Sequence, residues 1–409
     1  MLRIPLTVMN LVGPLKDNRM KIIFWISLFI AFYTFFGYGI VLYILVKIRR
    51  AVKGPRVIAA PGSFTPALTF VIAAYNEADI MEEKIDNTFA LQYPADKFKI
   101  LIVTDGSDDG TPDVVARYPQ IQLMHQPARK GKIAAVHRAM QTVTTEIVVF
   151  TDANTFLNSD ALLYLCRHYK DEKVGAASGE KKVNSGDEAD ATAGEGIYWK
   201  YESTLKKWDA ELYSVVGAAG ELFSIRTSLY QPVPPETILD DFMISLLAAE
   251  KGYRIAYEPL ACAVEHGSES IAEELKRKIR IAAGGIQSII WLKSLMNPFK
   301  NPVLAFEYVS HRVLRWTVTP FLLILAFILN GIIALQTGGL LYTGLFVLQA
   351  FFYILALLGW WMEKRQLKVK VLFIPYYFCM MNYAVIAGIN RYMRKQQSAA
   401  WEKSKRKKV

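Results

Sequence analysis

The chain has 409 residues, 53% of them hydrophobic, and a mean hydropathy of +0.20, enough for one large soluble domain plus membrane segments. A net charge of +11 and a pI near 9.3 would suit a nucleic-acid binder. No motif of that kind is present, and many of the cations flank apolar runs, as in membrane-anchored chains. Cys166, Cys262 and Cys379 stand far apart, which excludes a disulfide framework or a thiolate zinc site and fits a reducing cytoplasmic domain.

Residues 1–21 read as an N-terminal tail and 22–46 as a transmembrane helix, long enough to cross a hydrocarbon core of about 30 Å. With no small-residue cleavage site, this is an uncleaved anchor. Lys47, Arg49, Arg50, Lys53 and Arg56 follow it and place that end in the cytoplasm. The stretch 47–66 is a linker rich in Pro, Gly and Ser towards its end. A soluble domain over 67–268 comes next. Its strand-like runs are 67–75, 98–104, 121–124, 146–151 and 174–178, and the helix-like segments between them are 78–91, 111–118, 132–143 and 160–170. Near-continuous apolar strands alternating with helices predict a doubly wound α/β domain with ligands at the strands' carboxyl ends. The polar stretch 179–194 predicts a mobile loop.

Residues 269–312 form an amphipathic region suited to the membrane interface. Within 313–392 lie three apolar blocks, 317–335, 340–362 and 371–389, and a basic tail occupies 393–409. Four spans would put both termini outside the cytoplasm, against the tail's many lysines and arginines. Pro375, Asn382 and Asn390 in the last block therefore suggest three spans plus a re-entrant or interfacial segment.

Chemistry-bearing residues cluster at the strand ends. Tyr75-Asn76-Glu77 ends the first run. Asp105 opens Asp-Gly-Ser-Asp-Asp-Gly-Thr after the second, where its carboxylate suits a base or ribose; the plain alternative is a turn capping the next helix. Lys132 closes Arg-Lys-Gly-Lys at a helix start, a position suited to phosphate, although such charge runs are commonly solvated. Asp152 and Asn154 follow the fourth run. Hard oxygens two residues apart suit Mg2+ or Mn2+, and an Asx turn is the alternative. In Asp240-Asp241, mutual repulsion raises one pKa and suits a general base; a helix N-cap is the alternative. Gly217, Gly220 and Glu221 form a small-residue loop before a further strand.

In this order the motifs resemble the membrane-embedded family 2 inverting glycosyltransferases over residues 67–295. The resemblance implies an α/β GT-A fold, Rossmann-like with a mostly parallel sheet, in a cytoplasmic domain with transmembrane α-helices at both ends. It implies a nucleotide-sugar donor, a UDP-sugar, contacted by Tyr75, Asn76, Glu77, Asp105, Lys132, Asp152, Arg277 and Arg280. It assigns Asp152 and Asn154 to Mg2+ or Mn2+, Asp241 with Asp240 to catalysis, Asp241 being the base, and Gly217, Gly220 and Glu221 to the acceptor side. Implied partners are a glycan or lipid-linked acceptor and membrane lipid, in a multi-pass protein of the plasma (inner) membrane. The QxxRW motif of processive members is sought at 277–281, which reads Arg-Lys-Ile-Arg-Ile and lacks the Trp. That departure puts polymerisation in doubt and leaves open a single transfer to a lipid carrier, or an inactive nucleotide-sugar-binding protein.

Overall fold

This computed structural model describes residues 6–184, 193–266, 270–365, 367 and 369–395. Helix α1 (Leu6–Phe32) passes through a π-helical turn, Tyr33–Gly37, into α2 (Tyr38–Lys53). The soluble domain then runs β1 (Leu68–Ala74), α3 (Ala78–Phe89), β2 (Phe98–Asp105), α4 (Thr111–Ala116), β3 (Ile121–Gln126), α5 (Lys132–Met140), β4 (Ile147–Asp152), β5 (Phe156–Leu157) and α6 (Ala161–Cys166). It continues with β6 (Val174–Asn184), α7 (Ala193–Leu212), β7 (Leu222–Arg226), α8 (Asp240–Glu250) and β8 (Arg254–His266). Next come α9 (Ile271–Trp291), α10 (Pro302–Tyr308), a second π-helical turn at Val309–Val313, and α11 (Leu314–Trp316). The chain closes with α12 (Thr319–Thr337), α13 (Leu340–Lys364) and α14 (Lys370–Met393).

The strands form one sheet in the order β3-β2-β1-β4-β7-β6-β8-β5. β1 pairs in parallel with β2 and β4, and β2 with β3. Chain order reverses beside β1, which opens a crevice at the carboxyl ends. All seven residues of β1 are buried, and they divide by the period of two. Val71 packs with Leu101, Val103, Val148 and Phe150 on one face. Leu68, Phe70 and Ile72 pack with Ile100, Ile102, Ile147 and Val149 on the other. The second half is mixed: β7 is antiparallel to β4 and β6, while β6 runs parallel to β8.

Two expectations change here. The first part of the expected mobile loop is strand: β6 extends through Asn184 and pairs with β8. Its Lys181 is buried because Glu221 and Glu265 both meet its ammonium. Residues 185–192 of that loop lie outside the described residues. The last apolar block, for which a re-entrant or interfacial segment was expected, is one continuous 24-residue helix through Pro375, which a re-entrant hairpin is not. Among the described residues, four helices are long and apolar enough to cross a membrane: Asn18–Lys53, Thr319–Thr337, Leu340–Lys364 and Val371–Met393.

Helix α9 lies between the soluble domain and α14. Its Ala282–Ile289 stretch is buried, with Gly285 under the Trp316 ring and Gly284 against Ile238 and Leu239. A Cβ on Gly388 of α14 would fall 2.6 Å from the Ala282 Cβ and 2.9 Å from the Ile279 carbonyl oxygen. Replacing Gly388 by Leu is expected to wedge α14 from α9 and cost about 1–3 kcal/mol. An unchanged melting temperature in detergent would refute this packing.

Candidate active site

Three parallel strands bring three polar turns together at the crevice. At the end of β1, Asn76 takes a left-handed backbone conformation (φ 53°). Its side-chain Nδ2 donates to Asp108 Oδ1 at 2.8 Å and its Oδ1 accepts from the Asp108 N–H at 3.0 Å. Buried Glu77 donates its backbone N–H to Thr111 Oγ1 (3.0 Å), and the Ala78 N–H donates to Asp109 Oδ2 (3.0 Å). Asp108 and Asp109 therefore tether two loops. Asp105 Oδ2 accepts from the backbone N–H of Lys130 (2.8 Å) and Gly131 (2.6 Å), while Oδ1 lies 3.4 Å from Arg138 Nη1. It thus shapes the loop that opens α5. Gly106 (φ 72°) is required beside it, because a Cβ there would meet the Arg129 Cβ at 2.5 Å. The Arg129 guanidinium stacks 3.8 Å from the Tyr75 ring centroid. Tyr75, Asp105, Arg129, Gly131 and Lys132 line one recess.

Beside this recess the acids converge. Asp152 ends β4 and Asp240 and Asp241 start α8. Lys132, the first residue of α5, places Nζ 2.9 Å from Asp152 Oδ1 and 3.5 Å from Asp240 Oδ2. Burial works against the Lys132 charge, yet Asp152, Asp240 and Asp241 outweigh it and raise its pKa. Asp241 is pushed up to about 7 by burial and then by Asp240, with Lys132 opposing. The Asp241 carboxylate rests against the loop from Gly217 to Glu221, where a Cβ on Gly220 would come 3.0 Å from its Oδ2. Beneath the Asp152 turn, fully buried Lys84 donates to the Thr155 carbonyl, and Asn87 exchanges two hydrogen bonds with the Leu157 backbone. Nothing in the spacing of Lys84 and Asn87 along the sequence announces this clamp from α3.

The donor set fits a hard divalent cation. Asp152 Oδ1 is buried without a hydrogen bond of sound geometry, so its contact with Lys132 is an ion pair, and half-buried Asn154 follows two residues on. Among the described residues no three His, Cys, Asp or Glu are grouped to hold a metal by themselves. One or two carboxylates completed by substrate phosphates is the usual Mg2+ arrangement.

On the other side of Asp241 lies a cavity of 580 Å³. Asp241, Glu221 and Arg277 line its polar end; Phe35, Phe36, Phe373, Tyr377, Phe378 and Val385 form its apolar walls. Glu221 meets Lys181 Nζ at 2.5 Å, and burial notwithstanding, that cation holds its pKa down. Arg277 pairs with Glu274 (3.1 Å) and Glu265 (3.5 Å) at the cavity, across Asp241 from the Tyr75–Asp105 recess; Arg280 lies half-buried one turn further along α9. The cavity also presents Arg312, Arg315 and Trp316, none of them anticipated. The signal was the spacing Arg-x-x-Arg-Trp at 312–316, well beyond the segment at 277–281 where a Trp was sought. Glu202 of α7 meets Arg312 at 3.0 Å, Arg315 at 2.9 Å and His311 at 3.1 Å. Trp316 packs on Phe242 with centroids 5.5 Å apart.

The raised Asp241 pKa makes a stability prediction. The folded state holds this proton more tightly than the unfolded chain, whose value is near 3.8. The contribution is complete below that value and is lost as pH rises through about 7. Asp241→Asn is therefore expected to melt higher than the parent at pH 8, with the gap narrowing at pH 5. Parallel melting curves across that range would show that Asp241 titrates normally.

Residues 69–233 match the family model described as glycosyl transferase family 2. The poly-beta-1,6-N-acetyl-D-glucosamine synthase of Staphylococcus aureus (strain MSSA476) is 27% identical over 233 residues, 54% of this chain and 55% of that protein. The synthase of Staphylococcus epidermidis is 23% identical over 256 residues, 59% and 61% of the two chains. The chain thus spans little more than half the length of these curated relatives. Among solved structures, the mannosyltransferase PcManGT from Pyrobaculum calidifontis, in complex with GDP-Man and Mn2+, superposes with a TM-score of 0.68 at 24% identity, covering 92% of this chain and 100% of that one. That likeness confirms the GT-A fold. Over residues 69–233 the chain is similar to glycosyl transferase family 2.

Proposed function

We propose that this chain is a membrane glycosyltransferase that moves a sugar, with inversion, from a UDP-sugar to a glycan or lipid-linked acceptor in cell-surface polysaccharide synthesis. The observation that carries this reading is the position of Asp241. It stands between the recess of Tyr75, Asp105 and Lys132 and a cavity walled by membrane-helix side chains. The nucleoside would lie over the Tyr75–Arg129 stack and the turn organised by Asp105. Its diphosphate would face the start of α5, where backbone N–H groups and Lys132 favour anions. Asp152 and Asn154 would supply oxygens for Mg2+ or Mn2+, and a cation held there would neutralise charge on the leaving diphosphate.

Asp241 takes the proton of the acceptor hydroxyl, and the oxygen attacks the anomeric carbon opposite the diphosphate. One base and one in-line displacement invert the centre, and no second acid is needed to protonate a diphosphate leaving group. Burial and Asp240 set the Asp241 pKa near the working pH of a base. Basic residues after the first helix support a cytoplasmic catalytic domain on the plasma membrane.

A polymer product is favoured by Arg312, Arg315 and Trp316 in the cavity and by the named activity of the Staphylococcus relatives. The apolar far walls favour a second reading, one sugar added to a lipid carrier. Incubating the protein in native-like membranes with a panel of nucleotide-sugars, followed by mass analysis, separates a ladder from a single addition. Asp241→Asn is expected to lower kcat by about 10²–10⁴-fold, and chelation of divalent cations to stop transfer until Mn2+ or Mg2+ is restored. Full turnover by the Asn variant would remove Asp241 from the role of base.

A further inference from the structure

Lys132 has a second relationship to the acids it touches. Its ammonium joins carboxylates from different parts of the chain, Asp152 at the end of β4 and Asp240 at the start of α8, with Asp241 close enough to add to the field. The side chain is held there. Lys132 begins α5, and the Gly131 N–H before it is fixed on Asp105. The same Asp152 oxygen that meets the ammonium at 2.9 Å is buried and makes no other hydrogen bond. A divalent cation needs that oxygen. An ammonium and a divalent cation cannot share it closely, since like charges repel strongly where water is scarce. A nucleotide diphosphate changes the balance by offering Lys132 another anionic partner at the helix N-terminus.

We propose that Lys132 competes with the divalent cation for Asp152, and that the arriving diphosphate draws the ammonium away, so that cation and donor load together. The proposal rests on the donor and metal positions given under the proposed function. It adds a coupling between them. Because such coupling is reciprocal, the cation tightens nucleotide binding by the same factor as the nucleotide tightens cation binding. Until the donor arrives, the lysine also shields three carboxylates from one another and keeps Asp241 near Asp240 without a metal. A purely structural ion pair would do the shielding but would show no competition.

The test is Mn2+ binding to the full-length protein in detergent, read from the free-ion paramagnetic resonance signal, with and without UDP, and with GDP as a second probe. Lys132→Met keeps the stem and removes the charge. It is expected to bind Mn2+ about ten-fold tighter than the parent in the absence of nucleotide, within the usual range of coupling factors. It should lose most of the tightening caused by UDP, and turn over more slowly. Tighter metal with slower turnover is a pair of signs that loosened packing does not produce. Lys132→Arg retains the charge and is expected to keep the weak nucleotide-free affinity, which preserves the test if the Met variant fails to fold. An affinity no higher in Lys132→Met, or a UDP effect undiminished, overturns the competition. Asp152→Asn separates the two levels: if it leaves Mn2+ binding intact, the metal assignment itself is wrong; if it abolishes binding while Lys132→Met behaves as the parent, only the competition is wrong.

Discussion

Crowded negative charge at the open edge of a buried sheet is the constraint around which this α/β domain is arranged. Asp152, Asp240 and Asp241 come from elements far apart in sequence and meet at one ammonium. Uncompensated charges in so dry a place are expensive. The fold answers with Lys132 among the acids and the Lys84 clamp beneath their turn. The buried strands β1, β2 and β4 fix the geometry, since a one-residue slip in their register would turn each strand-end side chain to the opposite face. Electrostatics and sheet register are thus two aspects of one requirement: carboxylates brought together and held apart from water.

The same device recurs on the membrane side. Glu202 gathers His311, Arg312 and Arg315, and despite burial these partners hold its pKa well down. His311 also meets Asp209 at 2.7 Å, and Asp209 accepts the hydroxyl hydrogen bond of Tyr38. His311 lies in one π-helical turn, and Tyr33, in the other, is 2.8 Å from Ser310. Such turns are rare and recur at functional sites. Here the one at Val309–Val313 puts His311 into the buried network while Arg312 reaches the cavity.

Much of this was legible in the sequence where burial was uniform. The runs that became β1, β2 and β4 are near-continuously apolar, so their ends, and with them Asp105 and Asp152, fall where expected. β8 was illegible because Glu258 and Glu265 interrupt it. Both are buried and matched by partners distant in sequence, Arg167 and His168 for one and Lys181 for the other. Lys181 misled in the same way, since a lysine in a polar stretch reads as loop until its partner carboxylates are in view. Trp316 carries a readable pattern, Arg-x-x-Arg-Trp. Its proximity to Asp241 depends on α9 and α11 folding back over Phe242, which linear spacing does not reveal.

The hydroxyl of Tyr38 reaches from the apolar helix α2 to α7 of the α/β domain, where Asp209 is fully buried. The anchor is therefore no detachable tether. Cutting within 54–66 to liberate a water-soluble fragment would strip the tyrosine from Asp209 and uncover the apolar patch that Leu42 and Val46 share with Leu205. Taking a hydrogen-bond partner from a buried polar group costs about 1–3 kcal/mol, and the uncovered apolar patch adds to that. The apolar helix thus shares a hydrophobic interior with the α/β domain, and its side chains complete that domain's packing.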